Sequence, residues 1–297
     1  MAVGPEHDAP QVPGAQGFVD AVTVAFADPA QELFGMARLG LSVDGPSALA
    51  VLFAGGQPVL VRTEPGTEPI AAGAWEDVTA AGLRTAVVEP LGRWTASLDG
   101  REEGGFALEL VACSEPAELA AGSAVAAAGG SRGFEQMCTV EGTVRAGGRV
   151  YEVRCLGQRG RLWGAPDWEG MAFTRRVGAW LDADHAVALS AVRSAGVDGH
   201  GDEALSAWLF EGGPPAVALP VQEPRLSTTY DGEGRQRQAG LELWIRDDDD
   251  HPRRAAGAVL CGTSLELGRL RLECAFFGWL MDGRAGAGCY DVLRRTA

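Results

Sequence analysis

Along most of its length the chain alternates short apolar runs with turn signals, the pattern of an all-β protein. From Phe18 to Cys113 the runs at Val22–Phe26, Ala37–Val43, Ala48–Phe53, Val59–Arg62, Leu83–Glu89, Trp94–Leu98 and Phe106–Cys113 read as strands, divided by Asp44-Gly45, Gly55-Gly56, Pro65-Gly66 and Asp99-Gly100. Beyond residue 133 a hairpin is predicted from Glu135–Arg145 and Arg149–Leu156, joined at Gly147-Gly148. Further strands are expected at Thr174–Leu181, Ala186–Arg193, Ala204–Phe210, Ala216–Val221, Gly240–Arg246, Ala256–Cys261, Leu265–Phe277 and Gly288–Leu293. Strands at this spacing build sandwiches or barrels.

The segments without that pattern set the expected boundaries. Pro5, Pro10 and Pro13 mark residues 1–16 as a tail without regular structure. The Ala/Gly/Ser stretch between Pro116 and Gly133 reads as a crossover, with a short helix at Pro116–Ala121. The expected organisation is therefore a tail at 1–16, an N-terminal β domain at 17–115, a linker at 116–132 and a C-terminal β domain at 133–297.

Composition narrows the chemistry. The 297 residues carry 42 glycines and 16 prolines, as a turn-rich globular fold requires. There is no lysine and no asparagine, so all 25 basic residues are arginine. That removes Schiff-base chemistry and the P-loop lysine. A formal net charge of -15 argues against non-specific binding to nucleic acid or an anionic membrane. No run is long and apolar enough for a transmembrane helix, and the opening residues do not read as a signal peptide. The six cysteines form no CxxC pair, and most lie in apolar runs, as reduced core thiols of a cytoplasmic protein would.

Several motifs fail in context. Gly129-Gly130-Ser131-Arg132-Gly133 matches the nucleophile elbow in letters, but the elbow needs a strand before the serine and a helix after it. Gly199-x-Gly201-x-x-Ala204 lacks the βαβ surroundings of a dinucleotide loop, and Asp247–Asp250 lacks the alternating spacing of a calcium loop. His185, in Asp182-Ala-Asp184-His185, reads as the exposed tip of a hairpin.

The chemistry-bearing stretch is Cys155–Trp168, with two indoles, two arginines and a carboxylate. Asp167, between Pro166 and Trp168, is the candidate acid, with Glu152 and Glu135 on the hairpin as the alternatives. Trp163, Trp168, Tyr151, Arg159 and Arg161 are candidates for substrate binding, because indole faces stabilise cations without offering a base. Tyr151 and Glu152 point to opposite faces of their strand.

Gly142 with its hairpin, Gly157-Gln-Arg-Gly-Arg-Leu-Trp163-Gly164, Asp167-Trp168, and Asp282-Gly283-Arg284-Ala-Gly286 before Tyr290 resemble a known pattern. It is that of the lipocalin-like superfamily of carotenoid 1,2-hydratases, hydroxyneurosporene synthase-like proteins and fungal decalin-forming cyclases. In the first half Glu89-Pro90-Leu91-Gly92-Arg93-Trp94 resembles a segment that such proteins carry late in their first domain. The resemblance implies two tandem lipocalin-like β-barrel or sandwich domains with a hydrophobic pocket. It also implies cyclase, hydratase or isomerase activity without cofactor or metal, on a hydrophobic polyene, terpenoid or polyketide. Relatives place an Asp, often with His, just before the Trp-Gly pair, where this chain has Gly160 and Arg161. A non-catalytic carrier of lipophilic molecules and a protein-interaction module are the other readings. An apolar cavity with a carboxylate reaching into it would separate them from an enzyme.

Overall fold

The structure is a computed structural model that describes residues 3–11, 16–66, 68, 74–100, 104–196, 203–246 and 250–296. It divides into two compact units, one of residues 1–120 and 131–166, the other of residues 121–130 and 167–297. Nearly all regular structure is antiparallel strand, arranged as two curled sheets of tandem lipocalin-like type.

In unit 1 the strands are β1 (Val19–Asp28), β2 (Leu33–Ser42), β3 (Gly45–Ala54), β4 (Gln57–Glu64), β5 (Leu83–Glu89), β6 (Arg93–Asp99), β7 (Gly104–Ala112), β8 (Ala117–Leu119), β9 (Ser131–Ala146) and β10 (Arg149–Gly164). The sheet order is β4-β3-β2-β1-β10-β9-β7-β6-β5, with β8 also on β9. The first strand thus pairs with the last, from Val19 opposite Gly164 to Ala27 opposite Leu156. Period-two burial then collects one face of every strand into a single core that includes Val24, Phe26, Leu52, Trp94, Leu108, Val140 and Val153.

Unit 2 repeats the plan with β11 (Met171–Asp182), β12 (His185–Ser194), β13 (Ala204–Glu211), β14 (Val217–Pro220), β15 (Glu223–Tyr230), β16 (Gln236–Trp244), β17 (Arg253–Leu267), β18 (Leu270–Met281) and β19 (Arg284–Arg295). Its order is β14-β13-β12-β11-β19-β18-β17-β16-β15, again with first strand against last. Val177, Leu189, Leu209, Phe277, Trp279 and Tyr290 belong to its core.

The seam between first and last strand needs glycine in both units. A Cβ on Gly157 of β10 would lie 2.4 Å from the Ala25 carbonyl oxygen of β1. One on Gly288 of β19 would lie 1.9 Å from the Gly178 carbonyl oxygen of β11. Neither strand could approach its partner with a side chain there.

The all-β fold and most strands agree with the sequence pattern, but four boundaries do not. The hairpin of β9 and β10 closes unit 1 rather than opening the second half, because β10 forms the ladder with β1. In the expected linker, Ala117–Leu119 is the strand β8, and the helix lies later, as α1 (Ala124–Gly129), capped by the Ser123 side chain on the Ala126 N–H. The run Leu265–Phe277 is broken by a turn between β17 and β18, where Gly268 has a left-handed φ of 66°. In the expected tail, Pro5–Asp8 is a 3-10 turn with Asp8 buried. Strand β15 was not predicted, since Pro224 and its polar alternation weaken the apolar signal.

Gly130 ends α1 and Ser131 starts β9, so helix and strand stand in the reverse of the elbow's order and the serine is no nucleophile. The glycine motif at 199–201 and Asp247–Asp249 lie outside the described residues.

Gly288→Ala is expected to lower stability by about 3 kcal/mol through overpacking at the seam. Gly122→Ala, with nothing within 4 Å of the new methyl, should change it by less than about 0.5 kcal/mol. Urea unfolding of both variants checks the contrast; equal stabilities would refute the seam argument.

Candidate functional site

Alternation along β10 decides where the predicted residues go. Tyr151, Val153 and Cys155 pack on the core of unit 1, and the same face continues through Arg159, Arg161 and Trp163, all buried. Glu152 lies on the opposite face and is exposed. Glu135 of β9 alternates with the buried Phe134 and Gln136, and its carboxylate accepts a hydrogen bond from the Gln158 side chain. Both glutamates therefore point away from the core that an acid would have to serve.

The two arginines sit in ion pairs. Arg159 donates to Asp8 at 2.7 Å and to the Gln136 Oε1 at 2.7 and 3.1 Å, with its guanidinium 4.8 Å from the Trp94 ring and 5.3 Å from Phe134. Arg161 donates to both oxygens of Asp20, at 2.7 and 3.1 Å, and lies 4.7 Å from Trp75 and 5.7 Å from Trp163. Burial pushes the Asp20 carboxyl upward, against the pull of Arg161, and lowers the Arg161 guanidinium. Trp163 stacks on His7 at 5.6 Å. The charged groups at this end of unit 1 are paired with one another.

Asp167 is solvent-exposed and accepts the Glu169 N–H at 3.1 Å, a turn-capping role. It and the half-buried Trp168 fall in unit 2, whereas Trp163 belongs to unit 1. Of the stretch Cys155–Trp168, the two arginines and the first indole converge within unit 1, and the carboxylate and second indole belong to unit 2.

An open cleft of about 360 Å³ lies in unit 2, lined by residues that include Leu181, His185, Leu209, Arg253, Met281 and Arg284. Leu181, Leu209 and Met281 are buried core residues and contribute a small apolar part of its lining, most of which is polar or charged. His185 opens β12, directly after the two-residue turn from β11. That turn places its Nδ1 2.9 Å from Asp182 Oδ1 and 3.0 Å from Asp184 Oδ1. Arg284 holds the other Asp182 oxygen at 2.7 Å. Across the cleft Arg253 bridges Asp282 at 2.7 Å and Glu211 at 3.1 Å.

Partial burial of His185 disfavours its charge, but the hydrogen bonds to Asp182 and Asp184 outweigh that and raise its pKa. Asp182 experiences some desolvation too, yet its hydrogen bonds to Asp184 and His185 bring it down to about 2. The result is an imidazole whose protonated form is favoured by the two carboxylates at Nδ1, with Nε2 as its second nitrogen. Asp182, Asp184 and His185 also offer ligand atoms within 4.8 Å of one another. Arg284 occupies one Asp182 oxygen and adds a fixed positive charge, so the group suits a proton relay better than a metal ion.

Sequence reasoning read His185 as an exposed hairpin tip. The turn is as expected, but the ring is only 23% exposed. The available signal was an Asp-x-Asp-His run immediately before an apolar strand.

A second polar group in unit 2 joins Arg175, Glu203, Thr228 and Tyr290. Arg175 pairs with Glu203 and donates to Thr228 at 3.2 Å, and the Tyr290 and Thr228 hydroxyls are 2.6 Å apart. Burial lifts the Tyr290 phenol to about 12, which keeps it a hydrogen-bond donor.

Residues 4–296 match the model of a family described as a domain of unknown function (DUF7064). No curated protein matches the sequence. Among solved structures the chain is similar to a protein provisionally called AttH from Nitrosomonas europaea, at 12% identity and a TM-score of 0.66, over 94% of this chain and 92% of that one. It is similar to kievitone hydratase from Nectria haematococca at 11% identity and 0.66, over 99% and 94%. It is also similar to CghA with Sch210972, at 11% identity and 0.65, over 100% and 96%. These likenesses give the fold, two tandem lipocalin-like β units, and nothing beyond it. Among the described residues no helix is long and apolar enough to cross a membrane.

Because the folded pKa of His185 is raised, its stabilising contribution is full below about pH 6.5, the unfolded value. It is lost as pH rises through the folded value. His185→Gln is therefore expected to lower the melting temperature at pH 5 more than at pH 8. An imidazole titration by NMR should place His185 above 6.5 and bring it down in Asp182→Asn. An unshifted imidazole would remove the relay.

Proposed function

We propose an enzymatic function for this chain, which belongs to the DUF7064 family: a cofactor-independent hydratase, cyclase or isomerase of a hydrophobic polyene, terpenoid or polyketide. The observation that carries the proposal is the carboxylate-held imidazole lining an open cleft that also touches the core residues Leu181, Leu209 and Met281. The likeness in fold to a hydratase supports it, covering nearly the whole of both chains. The acid role passes from Asp167 to His185, because Asp167 faces solvent and His185 faces the cleft.

In this reading Leu181, Leu209 and Met281 hold the hydrocarbon and exclude water from it. The His185 imidazolium gives its proton to a carbon–carbon double bond or to a conjugated carbonyl oxygen. Water then adds to the electron-poor carbon, and the surplus proton returns to the imidazole, so one water crosses one double bond. If a second double bond in the substrate attacks instead, a ring closes and the proton lost from carbon regenerates the imidazolium. Asp182, fixed by Arg284, stabilises the charged ring and orients it throughout. The buried Arg159, Arg161 and Trp163 shape the interior of unit 1 and take no part in proton transfer.

Incubation with a panel of conjugated polyenes, terpenoids and polyketide enones, followed by mass spectrometry, tests the proposal. A gain of one water reports hydration, and an isomer of unchanged mass reports cyclisation. For an accepted substrate, His185→Gln should reduce kcat by about 10²-fold with KM little changed, and Asp182→Asn by less. Asp167→Asn should match the wild type. Full turnover in His185→Gln would exclude this site. Tight binding without any conversion would favour a lipophilic carrier.

A further inference from the structure

The Asp8 carboxylate is the charged tie of residues 4–11 to the inner face of unit 1. Asp8 is buried, and every donor to it comes from the sheet or its turns. Arg159 of β10 donates to both oxygens, at 2.7 and 3.3 Å. The Trp94 indole N–H of β6 donates at 3.2 Å, and the Leu91 backbone N–H donates from the β5–β6 turn at 2.5 Å. Leu91 has a φ of 58°, the left-handed region that a leucine rarely adopts. The segment joins no strand ladder. Its other ties are the Arg161 guanidinium on the His7 and Ala9 carbonyls, the Gln11 N–H on Asp20, and the His7 ring on Trp163.

The two arginines differ in where their counter-ion comes from. Arg161 is neutralised by Asp20 of β1, within the sheet. Among the described residues the sheet offers Arg159 no carboxylate; its partner there, Gln136, is neutral. A cation this deeply buried is strongly destabilising without an anion. The sheet therefore presents a preorganised receptor of four N–H donors, walled by Trp94 and Phe134, that is complete only when a carboxylate enters from outside it.

We propose that this receptor is a carboxylate-binding site, which the N-terminal strap occupies through Asp8 as an internal ligand. An apolar molecule bearing a carboxylate competes with the strap for Arg159, and its binding releases residues 4–11 from the sheet. The aromatic walls select a flat or hydrocarbon body behind the carboxylate. The site is separate from the cleft of unit 2 and does not depend on its chemistry.

The test uses the full chain with benzoate as the probe and benzamide as its neutral analogue. Asp8→Ala empties the receptor and should bind benzoate about tenfold or more tightly than the wild type, since the strap no longer competes. Benzamide should not bind, and Arg159→Gln added to Asp8→Ala should abolish the benzoate affinity. In the wild type, millimolar benzoate should speed hydrogen exchange in the peptide covering residues 4–11. Asp8→Asn keeps the strap's size while removing its charge, and serves the same comparison if Asp8→Ala does not fold. The proposal is overturned if the folded Asp8 variants bind benzoate no better than the wild type, or equally well without Arg159. If neither Asp8 variant folds, unchanged exchange in the wild type overturns it.

Discussion

The pairing of first strand with last is the constraint on which each unit depends. β1 and β10 are separated by most of unit 1, and β11 and β19 by most of unit 2, so each pairing closes a long loop at a large entropic cost. Once made, it fixes the register of every intervening hairpin and aims one face of all strands at a common core. The glycines at the two seams allow this approach, and that gives a physical meaning to Gly157 and to the Gly286–Gly288 end of the chain. Part of what reads as a family motif is therefore the requirement for a close backbone contact.

Closure also governs the polar groups. A curled sheet has a limited inner face, and any charged residue with the inward parity must be neutralised there. In unit 1 the parity of β10 turns Arg159 and Arg161 inward, and the fold answers with Asp20 from its own first strand and Asp8 from the strap. In unit 2 Arg175 is answered by Glu203, directly before β13. The two units share a topology but differ at the cleft of unit 2. There the buried Leu181, Leu209 and Met281 share the lining with charged side chains that water still reaches.

The elements were largely legible because alternation and turn residues are local signals. The β9–β10 hairpin was visible at Gly147-Gly148, and the opposite facing of Tyr151 and Glu152 followed from strand geometry alone. What local signals do not carry is the partner of a strand. Ala/Gly/Ser-rich residues 116–132 look the same whether they join two domains or leave one and return to it, and only the ladder of β10 on β1 shows which. The candidate site shows the same limit. Asp167 is four residues from Trp163 in sequence, but β10 ends at Gly164 and the carboxylate turns into solvent. Asp8 and Arg159 are 151 residues apart and in direct contact.

His185 illustrates why an exposed position in sequence need not be chemically idle. A tight turn between two strands forces Asp182, Asp184 and His185 to share a few ångströms, so their charges interact whatever the rest of the fold does. The core meets the turn at Leu181, Leu209 and Met281, which line the same cleft as His185. Arg284 enters from β19, the strand that closes the unit, so the orientation of Asp182 depends on the closure itself. The geometry of the Asp182–His185 turn is then tied to the same first-to-last pairing that builds the core. A loosened seam would displace Arg284 from Asp182 and leave the imidazole free to rotate, even with every residue of the hairpin tip intact.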